Sequence, residues 1–377
     1  MKVAVVHEWL ESYSGSEKLL EAILDFFPQA ELFVLLDFLP ESDRAFLGGR
    51  KIHTSFLNRL PWAKSNKFTW FLPLMPLAIE QFDLSEFDLI ISISHAVAKG
   101  VVTGPDQRHL SYICSPMRYV WDLQHQYLAP MSSPIRFFAK LLFHYLRFWD
   151  VRSSFGVDRI LAISQFVSRR VKKCYNRDAE VVYPWIDTDF FTPGSRRENF
   201  YVVVSRLVPY KKIDLIVDAF RSLPDRRLVV IGDGPELAHL KNALPGNVDL
   251  LGFQSREIIR DTLQRGKAFL FAAIEDFGIA PLEAQACGMP VIAFAKGGVT
   301  ETIIPSGNGV ATGVFFHEQT AQSIVDAILR FEKMSDFFSE EICRANALRF
   351  SKAAFIRSFQ SQISAFLSET LVLPGNP

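Results

Sequence analysis

Short apolar runs alternate with segments of helical spacing along most of the chain. Near the amino end, a β-rich run from Lys2 to His7 precedes a polar turn and then apolar residues that recur on one face of a helix. These residues are Leu19, Leu20, Ile23 and Leu24. Ser14 and Glu17 stand three residues apart at the start of this segment, as in a capping box. The pattern predicts a strand, a turn and a helix.

Three further runs in the first half have the composition of buried parallel strands. They begin at Asp88 (DLIISIS), Arg159 (RILAIS) and Val181 (VVY), and polar segments bound each of them. The first half is therefore predicted to be α/β, with an irregular middle.

The second half repeats the pattern more regularly. Its five apolar runs are YVVVSR, RLVVIGDG, VDLLGF, KAFLFAA and PVIAFA. A helix is predicted after each run, at Ile213, at Pro235, at Arg256, around Pro281 and near Thr300. Strands that alternate with helices of this length predict a parallel sheet covered on both faces.

The chain has 377 residues, 49% of them apolar, and so exceeds the size at which a single core keeps growing. We expect two Rossmann-like domains, residues 1–182 and 183–350, with Tyr183 to Trp185 as the linker. Residues 351–377 are expected to form a helix and tail that pack back toward the first domain. Open α/β sheets bind ligands at the carboxyl ends of their strands, so the active site is expected between the two domains.

Charge and cysteine content narrow the class of protein. Lys plus Arg and Asp plus Glu number 41 each, so nucleic acid is not an expected partner. The four cysteines are far apart and form no CxxC pair, which favours a reducing compartment such as the cytoplasm. We find no signal-peptide pattern and no apolar run near the roughly 20 residues that span a bilayer.

The segment EDFGIAPLE, from Glu275 to Glu283, is the strongest candidate for chemistry. Gly278 allows close backbone approach, and Pro281 suits a first helical turn, whose free N–H groups favour anionic oxygen. Glu275 and Glu283 can each accept hydrogen bonds from sugar hydroxyls. The alternative is that both are ordinary surface charges at a helix start, where the dipole favours them.

Basic residues follow the run YVVVS in SRLVPYKKIDLI. Arg206 and Lys211 there can clamp a diphosphate, by bidentate and point-charge contacts respectively. Lys212 is expected to be a solvated residue at a helix start.

Two glycine loops are less specific. The segment IGDGPE, from Ile231 to Glu236, lacks the third glycine of the dinucleotide fingerprint, so it is weak evidence for NAD. A tight turn that lets the next helix pack explains it equally well. Gly297 and Gly298 predict a second loop of close approach.

Candidates in the first half are fewer. Gly15 follows the first strand, and His95 follows DLIISIS, where it is either an ordinary loop histidine or a site residue. Asp187 and Asp189 spell DTD, which resembles a metal-binding motif, but their place beside the linker favours a structural role. No metal site is expected.

The segment RFFAKLLFHYLRFWDVR, from Arg136 to Arg152, mixes basic and aromatic residues. It is predicted either to lie in a membrane interface as an amphipathic helix or to pack inside the first domain with its basic ends exposed.

Three motifs together resemble the retaining glycosyltransferase family 4. They are SRLVPYKKIDLIVDAF, IGDGPE and EDFGIAPLEAQACGMPVIAFAKGGVTE, in this order and spacing. In the first half, VAVVHEWL with SGSEKLLEAI, FDLIISISHAVAKGV, SPMRYVWD and VVYPWIDTDFFTP are similar to a bacterial subgroup that includes mannosyltransferases of O-antigen and exopolysaccharide assembly. The resemblance covers nearly the whole chain.

The resemblance implies a GT-B fold, in which two Rossmann-like domains face each other across a cleft and the second holds the donor. It implies that Arg206 and Lys211 bind the diphosphate, that Glu283 holds the ribose and that Glu275 lies beside the donor sugar. Backbone of the helix start is expected to line the donor, and a first-domain loop to approach the diphosphate. These residues are Phe277, Gly278, Ile279, Ala280 and Leu282 in the second domain, and Gly15 in the first.

The implied reaction moves a sugar, mannose from GDP-mannose by subgroup likeness, onto a glycan or polyprenyl-linked acceptor. The family uses the nucleotide sugar as co-substrate and no other cofactor. Peripheral contact with the inner face of the membrane is expected for a lipid-linked acceptor. A transferase of UDP-sugars, a nucleotide-sugar-binding pseudoenzyme or partner subunit, and an epimerase remain as alternatives.

One position departs from the family. The family places a histidine before a small residue and proline, but this chain has Cys114 before Ser115 and Pro116. A neutral thiol cannot replace an imidazole in handling protons. We expect His95 or water to substitute, or activity to be altered, and we assign His95, Cys114 and Arg118 to the acceptor side.

Overall fold

The computed structural model describes residues 1–60, 68–242, 244–306 and 310–369. The chain divides into two compact units. The first contains Met1–Pro184 and the carboxyl-terminal segment from Ile356, and the second contains Trp185–Phe355. The last predicted residues, 370–377, lie outside the described residues.

The first unit is built on a seven-stranded parallel sheet of order β3-β2-β1-β4-β5-β6-β7. Its strands are β1 (Val3–Leu10), β2 (Glu31–Asp37), β3 (Ile52–Thr54), β4 (Leu89–Ser94), β5 (Arg108–Ile113), β6 (Arg159–Ala162) and β7 (Glu180–Val181). Its helices are α1 (Gly15–Phe26), α2 (Met75–Glu80), α3 (Gln124–Leu128), α4 (Ser133–Ser154) and α5 (Gln165–Tyr175).

The second unit is built on a six-stranded parallel sheet of order β10-β9-β8-β11-β12-β13. Its strands are β8 (Phe200–Val204), β9 (Arg227–Ile231), β10 (Val248–Gly252), β11 (Ala268–Phe271), β12 (Val291–Phe294) and β13 (Gly313–Phe316). Its helices are α6 (Ile213–Arg221), α7 (Leu237–Lys241), α8 (Arg256–Arg265), α9 (Ile279–Ala286), α10 (Val299–Thr302), α11 (Ala321–Lys333) and α12 (Glu340–Leu348).

A last helix, α13 (Lys352–Ser368), begins in the second unit and continues into the first. Within the first unit, its Phe359 is fully buried and packs edge-to-face on Phe26, with ring centroids 5.7 Å apart.

The predicted α/β class with two Rossmann-like units is confirmed. Continuous apolar strands such as β4, all of whose residues are buried, are what a parallel sheet covered on both faces requires. At the start of α1, Glu17 Oε2 accepts hydrogen bonds from Ser14 N at 3.1 Å and from Ser14 Oγ at 2.7 Å, as the capping pattern predicts. The helix predicted at Pro235 begins two residues later, at Leu237, because a turn closes first, from Leu237 N to Gly234 O.

Each sheet has one point at which the strand order reverses. In the first sheet it lies between β1 and β4, and in the second between β8 and β11. Loops that leave the carboxyl ends of two such strands diverge and leave a crevice, which is the usual ligand site of open α/β sheets. These two edges are therefore where functional side chains are expected.

Candidate functional site

The reversal point of the second sheet brings two predicted site loops side by side. Strands β8 and β11 pair in parallel, with Tyr201 opposite Ala268. The loop after β8 carries Arg206 and Lys211, and the loop after β11 carries Glu275. Topology alone thus unites residues that are more than sixty positions apart in the sequence.

Lys211 and Glu275 form a close ion pair between these loops. Their side chains are only 17% and 21% exposed. A half-buried pair is less screened by water and salt than a surface pair, so the two side chains hold each other more firmly than a surface pair would. Lys211 is therefore held beside Glu275 at the carboxyl ends of these strands.

Arg206 stands just beyond β8 and is exposed. Its guanidinium makes no hydrogen bond and no ion pair with any residue that the structure describes. An unpaired guanidinium presents five donors in a fork that suits phosphate oxygens. Lys212, by contrast, is the half-buried N-cap of α6 and has a left-handed backbone with φ 58°.

The start of α9 completes this edge. Gly278 is its N-cap, with φ 98°, a left-handed conformation that glycine adopts without strain. Phe277 and Leu282 are buried, and Phe277 packs edge-to-face on Phe350. The side chains of Phe277 and Leu282 therefore face the core, and the backbone at this helix start is what they leave to a ligand. The first-turn N–H groups of a helix have no intrahelical acceptor and favour anions.

The other predicted site residues of α9, Ile279, Ala280 and Glu283, are half-buried. Glu283 lies one turn into the helix, in the same segment as Glu275. Ile279 and Ala280 occupy the first turn. The sequence-based roles of these residues toward a donor stay predictions.

Both glycine loops support the site loops from behind. Gly232 and Gly234 pack against the backbone beside Arg206: a Cβ would lie 1.8 Å from Ser205 O and 2.3 Å from Leu207 O, respectively. Gly297 and Gly298 pack against the backbone of the Glu275 loop, where a Cβ would lie 2.5 Å from Glu275 O and 2.3 Å from Asp276 O, respectively. The tight-turn interpretation of IGDGPE is therefore the one that its geometry supports.

The reversal point of the first sheet holds a buried carboxylate that the sequence analysis missed. Glu8, near the end of β1, is fully buried. Its Oε1 accepts hydrogen bonds from the backbone N–H groups of His95, Ala96 and Ala98 at 2.8–3.0 Å. Its Oε2 lies 2.7 Å from His95 Nδ1. Glu8 thus fixes both the loop after β4 and the ring of His95.

Charge pairing sets the pKa values of this pair. Burial alone raises the pKa of Glu8, but the charge and hydrogen bond of His95 and the N–H of Ala98 lower it to about 2. Burial lowers the pKa of His95, but the Glu8 carboxylate raises it more, so the net shift is upward. With Nδ1 directed at Glu8, Nε2 is the nitrogen of the partly exposed ring that remains for a ligand.

A second buried pair lies behind the first. His7 Nε2 is 3.6 Å from Glu17 Oε1, and both residues are buried. Burial raises the pKa of Glu17, but the hydrogen bond and charge of His7 lower it to about 2. A charged residue directly after the predicted apolar run was the available signal for Glu8. The predicted strand ended three residues too early, at His7, whereas β1 continues to Leu10.

Cys114 follows β5, the neighbour of β4 in the sheet. Ser94 pairs with Ile113, so His95 and Cys114 are the next residues on adjacent strands. Cys114 N donates to Ser94 O at 2.8 Å, and its thiol is half-buried. Arg118 is half-buried, with Nη2 3.9 Å from Asp122 Oδ2. Gly15 begins α1 after the β1 loop. His95 and Cys114 thus lie at one edge of the first sheet, and the acceptor role predicted for them and for Arg118 stays a prediction.

The DTD segment takes part in the packing of the second unit. Asp187 Oδ2 pairs with Arg256 Nη2 at 2.9 Å, and Asp187 Oδ1 accepts a hydrogen bond from Phe190 N at 3.0 Å. Arg256 also lies over the ring of Phe190, 4.4 Å from its centroid. These contacts give Asp187 a structural role.

Comparison with known proteins finds a family match within the second unit. Residues 186–349 match the family described as Glycosyl transferases group 1. The chain is 34% identical to a D-inositol 3-phosphate glycosyltransferase of Mycobacterium sp. (strain KMS), over 38% of each chain. It is 30% identical to a GDP-mannose-dependent monoacylated alpha-(1-6)-phosphatidylinositol monomannoside mannosyltransferase of Corynebacterium glutamicum, over 42% of this chain and 49% of that one. The chain thus spans less than half the length of these relatives.

Solved structures resemble nearly the whole chain. Sucrose-phosphate synthase from Thermosynechococcus elongatus matches 98% of this chain and 100% of its own, with a TM-score of 0.75 at 15% identity. Anabaena Alr3699/HepE in complex with UDP and glucose matches 97% and 100%, with a TM-score of 0.68 at 16% identity. At such identity the likeness shows the fold, which is that of GT-B glycosyltransferases.

Proposed function

We propose that this protein is a glycosyltransferase that takes a hexose from a nucleoside-diphosphate sugar with retention of configuration. One observation carries the proposal: Arg206, the Lys211–Glu275 pair and the start of α9 meet at the reversal point of a group 1 domain. Two cations and free helix N–H groups suit a diphosphate, and a carboxylate suits sugar hydroxyls.

In the proposed reaction the bond from the sugar to the diphosphate breaks while the acceptor hydroxyl attacks from the same face. Arg206 and Lys211 stabilise the negative charge that develops on the departing diphosphate, which is usually the largest contribution to such catalysis. The diphosphate oxygen takes up the hydroxyl proton. Glu275 positions the sugar, and Glu283 accepts hydrogen bonds from the ribose. No metal and no further cofactor takes part in this scheme.

We propose mannose from GDP-mannose as the donor and a glycan or lipid-linked oligosaccharide as the acceptor. The donor proposal draws on the motif resemblance and on the relative from Corynebacterium glutamicum, whose name specifies GDP-mannose. The Anabaena structures were solved with UDP or UDP-glucose, so a UDP-sugar is the competing donor.

Cys114 favours a second candidate, a nucleotide-sugar-binding protein that has lost chemistry. The family histidine is absent there, and a half-buried thiol follows β5 in its place. Cys114→His separates the two candidates. A gain in donor hydrolysis by that variant favours the inactive protein, and unchanged turnover favours an adapted enzyme in which His95 or water suffices.

A thermal-shift panel tests donor binding directly. GDP, UDP, ADP, GDP-mannose and UDP-glucose are each added to the purified protein, and a specific binder must raise the melting temperature by mass action. We expect GDP and GDP-mannose to give the largest shifts. Release of nucleotide from the donor then tests turnover.

Arg206→Met is the diagnostic variant and Arg227→Met its matched control. Arg227 begins β9, at the opposite edge of the same sheet, where it pairs with Asp249. We expect Arg206→Met to lose the shift and on the order of a hundredfold in kcat/KM, and Arg227→Met to retain both. Equal behaviour of the two variants would sink the proposed donor site.

A further inference from the structure

Helix α4 exposes an apolar face that no described part of its own unit covers. Its inner face packs through buried residues such as Phe143 and Leu146. Its outer face exposes Phe138 and Phe148 by 68% and 66%, and further large apolar side chains recur along it at helical spacing. These are Ile135, Phe137, Leu141 and Tyr145. The helix thus packs on its own unit along one face, as one of the two sequence-based interpretations predicts, while contact of its exposed face with a membrane stays a prediction.

The charges on α4 and α5 are mostly positive, although Asp122 and Asp178 beside these helices pair with Arg170 and Lys172 of α5. Asp150 is the single acidic residue of α4, and it is fully buried, in an ion pair with Lys99. From position 124 to position 177 the sequence contains ten lysines and arginines against two aspartates, in a chain whose formal net charge is zero. The positive charge is therefore concentrated in one segment of the first unit.

Neighbouring helices extend the surface. The crossovers from β3 to β4, from β5 to β6 and from β6 to β7 all run in the same direction along the sheet, so right-handed connections place α2, α4 and α5 on the same face. Trp149 of α4 donates to Glu80 of α2, and Tyr175 of α5 donates to Asp150 of α4. Helix α2 exposes Leu77. Helix α5 exposes Arg169, Lys172 and Lys173 and has no acidic residue.

We propose that the exposed surface of α4 and α5 docks on an anionic lipid bilayer. Aromatic and aliphatic side chains of α4 enter the headgroup region, and the basic side chains meet the lipid phosphates. Two weak signals of this kind together are what stable peripheral binding requires. None of the helices in the described residues is long and apolar enough to cross a membrane, so the proposed contact is with the surface.

The same charge pattern argues against a second copy of the chain as the occupant. A twofold interface brings the same patch of both copies together. Here it would place like charges of α4 and α5 opposite one another without acidic partners on either helix.

Vesicle flotation tests the proposal without any nucleotide sugar, so its outcome is independent of the proposed activity. The wild-type chain is mixed with phosphatidylcholine vesicles that contain or lack phosphatidylglycerol. We expect flotation with the phosphatidylglycerol vesicles, and we expect high salt to weaken it. Failure of the wild-type chain to float with either vesicle overturns the proposal.

Two sets of variants test the two signals. The triple substitution Phe138→Ser, Leu141→Ser and Phe148→Ser should weaken binding by about tenfold or more. The matched control makes the same chemical changes at exposed Phe253, Leu329 and Phe337 of the second unit and should bind like the wild type. Lys140→Gln, Arg169→Gln and Lys173→Gln should each weaken binding to the anionic vesicles on the order of fivefold.

Sedimentation and thermal melts complete the test. Variants are compared only where their melting temperatures match the wild type, and each single substitution replaces the triple one if the latter unfolds. If the α4 variant floats like its control, the proposal is wrong. If the wild type is a dimer in solution that the α4 variant dissociates, the face is an interface between copies and the lipid proposal is likewise wrong.

Discussion

Lys211 and Glu275 form an ion pair between the loops that follow β8 and β11, at the carboxyl edge of the second sheet. Each partner holds the other in a crevice where both are half-buried. A donor diphosphate that reaches Lys211 must compete with Glu275 or rearrange it. The proposed mechanism therefore requires Lys211 to exchange Glu275 for the diphosphate when the donor binds.

Lys211→Met should reduce kcat/KM for nucleotide release by about a hundredfold, because the departing diphosphate loses a cation in a partly desolvated site. Lys212→Met is the matched control: it changes the neighbouring lysine, the N-cap of α6, and should stay near wild type. Titration calorimetry with GDP-mannose separates a loss of binding from a loss of turnover. Equal effects at both positions would show that any positive charge in this loop contributes and that Lys211 has no specific role.

Gly298 should not tolerate even the smallest side chain. A Cβ there would lie 2.3 Å from Asp276 O and 2.6 Å from Phe277 Cα, so Gly298→Ala must displace the Glu275 loop. We expect a loss of about 1–3 kcal/mol in the free energy of unfolding and weaker donor binding, on the order of tenfold or more.

Gly246→Ala is the control for this loop. No atom lies within 4 Å of the Cβ that it would add, so urea unfolding and donor affinity should match the wild type. If Gly298→Ala behaves like Gly246→Ala, the glycine pair at 297 and 298 does not support the site loop.

Strand and helix periodicity predicted five of the six strands of the second unit and the helices that follow them, but it did not predict β13, α11 and α12. The helices at Ile213 and Arg256 begin where the pattern placed them, because each strand there is a continuous apolar run and each helix is amphipathic. In the first unit, β5 was missed because Arg108, His109 and Ser111 interrupt its apolar pattern. His109 is buried, and burial lowers its pKa to about 4, so a neutral ring sits in the strand and meets Ser92 at 2.8 Å.

The residues of the candidate site could be predicted from the sequence, but the contacts that hold them in place could not. Motif order pointed to Arg206, Lys211 and Glu275, yet the ion pair between the latter two depends on the strand order of the sheet, which no local pattern specifies. Glu8 escaped prediction for the same reason, because its partners lie 86 to 90 positions away along the chain. Long-range pairing of buried polar groups is a property of the fold.

Lys99 and Asp150 should be the most sensitive charged pair of the first unit. Both are buried, and Asp150 also accepts hydrogen bonds from Trp121 Nε1 at 2.8 Å and from Tyr175 OH at 3.0 Å. Lys99→Met leaves that carboxylate without its cation and should cost about 3–5 kcal/mol in the free energy of unfolding.

The matched control for Lys99 is Lys2→Gln, which removes an exposed pair with Glu86 and should change the free energy of unfolding by less than about 1 kcal/mol. Urea denaturation at neutral pH measures both variants. A cost for Lys99→Met as small as that of Lys2→Gln would mean that water reaches Asp150 or that it becomes protonated.

The Glu8–His95 pair should make the stability of the first unit depend on pH in a specific direction. The pKa of His95 is raised above its ordinary value of 6.5, so its charged form is stabilised by folding. That contribution is fully present below about pH 6.5 and is lost as the pH rises through the raised pKa. Glu8 behaves oppositely: its pKa is lowered from 4.5 to about 2, so its contribution is lost only as the pH falls toward 2.

His95→Gln isolates this dependence. Urea unfolding from about pH 5 to about pH 9 gives the free energy of unfolding of both proteins. The difference between the wild type and the variant should be constant at the acid end of this range and decline at the alkaline end. His7 and Glu17 lie behind the pair but are present in both proteins, so their contributions to the difference largely cancel. Glu8→Gln should abolish the decline, because the carboxylate that raises the pKa of His95 is gone. Parallel stability curves for the wild type and His95→Gln would show that His95 stays neutral in the folded protein across this range.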